Sequence, residues 1–246
     1  MTEREELKQL RSFLEGRQSN VFHVMEEGVD EDTQREYIDY APEDDKLTDV
    51  DEQPLGDTLF DPTAPLNDKK KALVTLAHVA STTAYRFIEK FYEQADPSLK
   101  TWSALALQEC RMFLEGKLTG RSMGFISGGM GGVQDKLRYY LVIIPVEGKQ
   151  FTPTQKKIVK DEFHYMSKKF RCAIETVDIS SDNFVGLTVL IPIDTPVGSY
   201  VEASIAQCNE LGNFVFDGAY VTNRCIPEEE ELYQYIDKVR HMQEDE

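Results

Sequence analysis

Residues 124–140 read GFISGGMGGVQDKLRYY, with five glycines between Gly124 and Gly132. Glycines at this density could cradle an anion, because backbone N–H groups approach a phosphate closely where no Cβ intervenes. A phosphate loop follows a strand and opens a helix, so the helix dipole adds to the N–H groups. Here the order is reversed: a helical pattern precedes the glycines and the strand-like run RYYLVIIPV follows. The spacing matches neither G-x-x-x-x-G-K-[ST] nor G-x-G-x-x-G. The stretch therefore reads as a joint between a helical segment and a sheet. A loop over a ligand, built on Gly128, Gly129, Gly131 and Gly132, is the alternative reading.

A second group with chemical potential lies on the helix expected from Pro153 to Phe170. One face carries Lys157, Lys160, His164, Lys168 and Arg171. The plain reading is a solvated face, and the sharper one is a dock for acidic residues of a partner or of the chain's own Asp30–Asp61 stretch. Exposed ion pairs contribute about 0–1 kcal/mol each, so only a cluster could hold such a segment.

Other chemistries find little support. Cys110, Cys172, Cys208 and Cys225 form no C-x-x-C pair, and His23, His78, His164 and His241 form no H-x-x-x-H or H-x-E pattern. No metal or iron–sulfur site is expected from such spacing. Arg224 beside Cys225 could activate a thiol, but no histidine is near in sequence, and an inert cysteine is the plainer reading. No G-x-S-x-G elbow occurs, and abundant carboxylates alone do not identify an acid–base pair. The chain is expected to be non-enzymatic and without cofactor, with an active site assembled from distant residues as the alternative.

Charge is segregated. Residues 1–68 carry 20 acidic and 6 basic side chains, residues 69–227 carry 16 and 19, and residues 228–246 carry 8 and 2. The whole is −17 at pH 7, which argues against a nucleic-acid partner, since that needs clustered cations to release counterions. The start MTEREELKQL has no basic and apolar leader, and YYLVIIPV is too short to span a bilayer. A cytoplasmic location is expected by elimination, with no membrane partner.

The elements that must position these residues follow from period and punctuation. Leu7, Leu10 and Leu14 mark a short amphipathic helix within residues 1–27. Residues 28–66 are acidic, contain proline and show no period, so they read as an arm or linker. Tyr37, Ile38, Tyr40, Leu55, Leu59 and Phe60 punctuate it, which leaves a docked arm and a free tail both open.

Residues 67–121 read as a helical hairpin. Leu73, Leu76, Ala80, Ala84, Phe87 and Phe91 form the first stripe, ADPS the turn, and Trp102, Ala106, Cys110 and Phe113 the second stripe. Within it ADPSLKTWSALALQE resembles the turn and second helix of a HEAT repeat, over about one repeat and without a second copy at a fixed period.

After the Gly-rich joint, 122–136, residues 137–224 alternate β-α-β-β-α-β. The helix at 153 opens with a Thr152/Gln155 capping box, and Val159, Phe163, Met166 and Phe170 form its inward stripe. The order resembles a ferredoxin-like domain: an α+β fold with a four-stranded antiparallel sheet and two helices on one face. Residues 225–246 add a helix and an acidic tail. The resemblance implies that the second sheet face needs cover from the final helix, the hairpin, the arm or a second copy of the chain.

Activities found on that fold can be compared with these residues. NFVGLTVLIPI offers aliphatics and threonine where RNA-recognition domains display stacking aromatics, and PVEGKQFTP lacks the paired cysteines of metal carriers. ACT-type sensors share the topology, and Gly148 alone echoes their glycine-bearing loop. Two functions are therefore expected in turn. One is a protein-interaction or scaffold module, using its sheet face, hairpin and acidic arm, with self-association as a homodimer included. The other is an ACT-like dimeric small-molecule sensor.

Overall fold

The computed structural model describes residues 21–42, 50–120, 123–146 and 150–244. The chain divides into two compact units, Met1–Ile126 and Ser127–Glu246. The helix expected around Leu7–Leu14 lies outside the described residues.

The first unit opens with strand β1 (Val21–Val24), which pairs in parallel with β2 (Met123–Ile126). Between them run helices α1 (Glu31–Asp39), α2 (Glu52–Phe60), α3 (Leu66–Val79), α4 (Thr82–Gln94) and α5 (Pro97–Thr119). The stretch read as an aperiodic arm thus holds two helices. Asp30 caps α1 by accepting from Thr33 N at 2.9 Å, and Asp51 caps α2 by accepting from Gln53 N at 3.1 Å. Tyr37 and Leu59 are buried in the core of this unit, with Tyr40, Leu55 and Phe60 packed against it. Ile38 alone of the six punctuating residues points outward, at 69% exposed. The rings of Tyr37 and Tyr40 both lie 5.2 Å from Trp102, and Lys70 Nζ stands 4.3 Å over the same indole.

The long first helix of the expected hairpin is also two helices. Ala80 adopts φ 48°, a left-handed turn that closes α3, and Ser81 Oγ accepts from Ala84 N at 2.9 Å to start α4. Lys117 Nζ donates to Val79 O at 2.7 Å, satisfying a carbonyl orphaned by the break. The Asp-Pro start of α5 is as expected: Asp96 accepts from Ser98 N, and Pro97 occupies the first turn.

The second unit is built on a sheet. Strand β3 (Gly132–Val133) forms a short hairpin with β4 (Lys136–Pro145); β5 (Ala173–Asp178), β6 (Val185–Pro192) and β7 (Val215–Thr222) follow. Helix α6 (Pro153–Lys169) precedes β5, α7 (Val197–Asn209) precedes β7, and α8 (Glu229–Glu244) ends the described chain. The main strands lie in the order β7-β4-β6-β5, every neighbouring pair antiparallel. The α+β class with an antiparallel sheet, expected from the sequence, is the class of the structure.

β4 is central and buries both parities. Leu141 and Ile143 join Val185, Leu187, Val189 and Ile191 of β6 beneath α6 and α7, together with Phe163 and Tyr200. Tyr140, Val142 and Ile144 face the opposite way, into a second cluster with Phe184 and with Leu232 and Ile236 of α8. The final helix therefore supplies cover for the second sheet face within the same chain. A buried aliphatic side chain contributes about 1.5–3 kcal/mol. Truncating Ile236, 1% exposed, is expected to cost about 2–5 kcal/mol in urea unfolding, with loss of α8 helicity. An Ile236→Ala variant as stable as the parent would show that α8 does not pack on the sheet.

Candidate functional site

The cation face of α6 is largely where the sequence placed it. The capping box is formed, with Gln155 N donating to Thr152 Oγ1 and Thr152 N donating to Gln155 Oε1. Val159, Phe163 and Met166 are buried, which turns Lys157, Lys160, His164 and Lys168 to solvent. His164 Nδ1 lies 2.8 Å from Lys160 O. Arg171 does not join them as a free charge. It adopts φ 57°, past the helix end, and its Nη2 donates to both carboxylate oxygens of Asp194 at 2.6 and 2.8 Å.

The glycines form a folded corner of the second unit. Gly131 N donates to Gly128 O at 2.9 Å, Met130 N to Asn223 O at 2.8 Å, and Arg138 N to Gly131 O at 2.9 Å. Gly128, Gly131 and Gly132 are buried, Gly131 has φ 64°, and Gly132 enters β3. A Cβ at Gly129 would lie 2.1 Å from Arg224 O. These glycines let two backbones meet and fold residues 128–132 into the second unit, while the division between the units falls just before them, after Ile126 and within the expected joint. Gly148, the echo of an ACT-type loop, lies outside the described residues.

Three of the four thiols are buried or half-buried. Burial pushes Cys110 and Cys208 up to about 12 and Cys172 up to about 11, which keeps them protonated at neutral pH. Cys225 is exposed. In the first unit Tyr37 Oη donates to Glu109 Oε2 at 2.7 Å, and His78 Nε2 lies 3.4 Å from Glu109 Oε1. Burial, then the Glu109 charge, pushes the Tyr37 phenol well up. The His78 and Glu109 side chains are 15% and 14% exposed. Among the described residues no cluster of three or more His, Cys, Asp or Glu could hold a metal ion, and no helix is long and apolar enough to cross a membrane.

A cavity of about 480 Å³ opens in the second unit, where the β5–β6 turn meets the start of α8. Its floor is Tyr140, placed on the α8 side by the parity of β4. Gly186, beside it on β6, makes room: a Cβ there would stand 2.3 Å from Tyr140 Oη. Tyr140 is 6% exposed, and its hydroxyl has no hydrogen-bond partner among the described residues. Burial, then the charge of Asp178, raises its pKa, so the phenol stays protonated.

The wall is the turn Ser180–Asn183. Asp178 Oδ1 accepts from Ser180 N at 2.9 Å, and Ser181 Oγ accepts from Asn183 N at 3.0 Å. Hydrogen bonds from the Ser180 side chain and backbone hold the Asp178 carboxyl below its ordinary range, so it is ionised at neutral pH. Lys156, buried on α6, clamps the turn from behind by donating to Ile179 O at 2.9 Å and pairing with Asp182 Oδ1 at 2.6 Å. Phe184 and Tyr233, their rings edge to face at 6.4 Å, and Glu229 also line it, with Ile226 and Leu232. No local pattern in the sequence signals that this turn and this helix start meet.

No family model matches the chain, and no curated protein matches it. Some solved structures resemble part of it. One is a REP-associated tyrosine transposase bound to a REP hairpin, at 10% identity and TM-score 0.31, covering 41% of this chain and 62% of that one. Another, a putative transposase from Deinococcus radiodurans R1, has 14% identity and TM-score 0.35, covering 42% and 90%. A third is the C-terminal domain of the MgtC protein of Mycobacterium tuberculosis, at 15% identity and TM-score 0.28, covering 38% and 96%. Likenesses this slight carry no functional information, and the HEAT resemblance finds no match among family models.

The glycine corner gives a direct check of the geometry. Gly129→Ala sets a methyl against the Arg224 backbone and is expected to destabilise the second unit by about 1–3 kcal/mol. An unchanged urea midpoint would place residue 129 away from Arg224.

Proposed function

We propose that the chain is a non-enzymatic small-molecule-binding protein whose second unit holds the ligand. The cavity beneath the first turn of α8 carries this reading. It has the volume of a small-molecule site and a floor formed by a buried phenol with an unused hydroxyl. Ligand pockets commonly combine apolar walls with placed polar groups, and here Tyr140, Phe184 and Leu232 share the lining with Ser181, Asn183 and three carboxylates. Recruitment through the sheet face or the acidic arm is not part of the reading. α8 occupies that face, and Tyr37, Tyr40 and Leu59 of the arm are spent inside the first unit.

Thermal unfolding of the full chain against a metabolite panel tests this. A ligand at 100 times its Kd adds about 2.7 kcal/mol to the stability of the unit that binds it, a rise of several degrees in Tm. Gly186→Ala, which drives a methyl into Tyr140, should abolish the response. A panel of neutral, anionic and cationic compounds that leaves Tm unmoved at millimolar concentration contradicts the reading.

A second function, docking of an acidic segment of a partner protein, is favoured by α6. Lys157, Lys160 and Lys168 are exposed and make no salt bridge among the described residues. Affinity for an acidic peptide should then fall steeply as salt rises from 50 to 300 mM, and charge reversal of the three lysines should remove it. Binding indifferent to both would exclude α6 as the contact.

A further inference from the structure

We infer that the cavity beneath α8 takes an organic ammonium ion, an amine or a quaternary ammonium group on a short apolar stem. This rests on the reading of that cavity as a ligand site and names the ligand class. Three carboxylates line it, Asp178, Asp182 and Glu229, and no Lys, Arg or His is among the described lining residues. The nearest cation, Lys156, is spent on Asp182 and Ile179 O. Asp178 and Glu229 make no salt bridge among the described residues.

A helix N-terminus ordinarily favours an anion. Here Glu229, Glu230 and Glu231 occupy the first turn of α8 and oppose that preference. An entering anion would meet negative charge on two sides, whereas a cation would meet its complement.

The remaining walls suit the same guest. Tyr140, Phe184 and Tyr233 supply aromatic faces, which attract a cation through the negative face of the ring. Tyr140 is 6% exposed, and its hydroxyl, without a partner among the described residues, is an acceptor for an ammonium N–H. Because its pKa is raised, it also keeps a proton to donate to a second polar group on the guest. Leu232 and Ile226 give apolar contact to a stem.

Calorimetric titration of the full chain at fixed ionic strength tests this with 1,4-diaminobutane, tetramethylammonium and glutarate as probes. Saturable binding of an ammonium probe and none of glutarate is expected. Glu229→Gln and Asp178→Asn should each weaken Kd roughly ten-fold, with Tyr140→Phe weakening the diamine more than tetramethylammonium, which has no N–H to donate. The Glu229 side chain makes no hydrogen bond among the described residues, so its variant stays informative if Asp178→Asn unfolds. Ammonium binding that survives both carboxylate variants is diffuse attraction to an acidic protein and overturns the assignment. Glutarate binding that Gly186→Ala removes overturns the ammonium class but leaves the cavity a ligand site. Silence of all three probes overturns the ammonium class, and the metabolite panel then decides separately whether the cavity binds anything.

Discussion

The packing of Leu232 and Ile236 against the second face of the sheet is the contact on which the rest of the C-terminal unit depends. β4 is apolar on both parities, so an uncovered face would leave Tyr140, Val142 and Ile144 in water. Exposure of a contiguous apolar face of that kind drives association. α8 removes that drive within the chain. It also builds something in the process, because its first turn does not lie flush on the β5–β6 turn. The space left is the cavity, and Gly186 deepens it by yielding to the Tyr140 ring. Cover and site are thus two consequences of one helix.

In the first unit the same logic runs through Trp102. Its indole gathers Tyr37, Tyr40 and the ammonium of Lys70, while Glu36 pairs with that ammonium at 2.7 Å. Among the described residues the acidic stretch before α3 is held by its aromatic residues, with Asp30 and Asp51 as caps and Glu36 and Glu52 bonded to Lys70 and Ser81. Negative charge in a segment is therefore compatible with order when a few large side chains are buried.

What could be read in the sequence was whatever is local. The capping box at Thr152 and Gln155, the Asp-Pro start of α5 and the two-sided apolar run of β4 each carry their signal within a few residues. α1 and α2 were hidden because nine-residue helices show hardly two turns of pattern, and their stability comes from distant partners. The break at Ala80 was hidden because alanine is a strong helix former. Lys117, 37 residues on, helps to hold that turn through a bond to Ala80 O. The α6 cations were legible from period alone, apart from Arg171, whose partner Asp194 lies beyond β5 and β6. The cavity was not legible, since Tyr140, Ser180–Asn183 and Glu229 come together only through strand order.

Native-state hydrogen exchange, followed at several protein concentrations, addresses the central contact most directly. Slow exchange of the α8 amides around Leu232–Ile236, together with those of central β4, and at a rate independent of concentration, is the predicted result. Exchange of α8 at the rate of an unstructured peptide, or protection that grows with concentration, would mean that a second copy of the chain and not its own last helix covers the sheet.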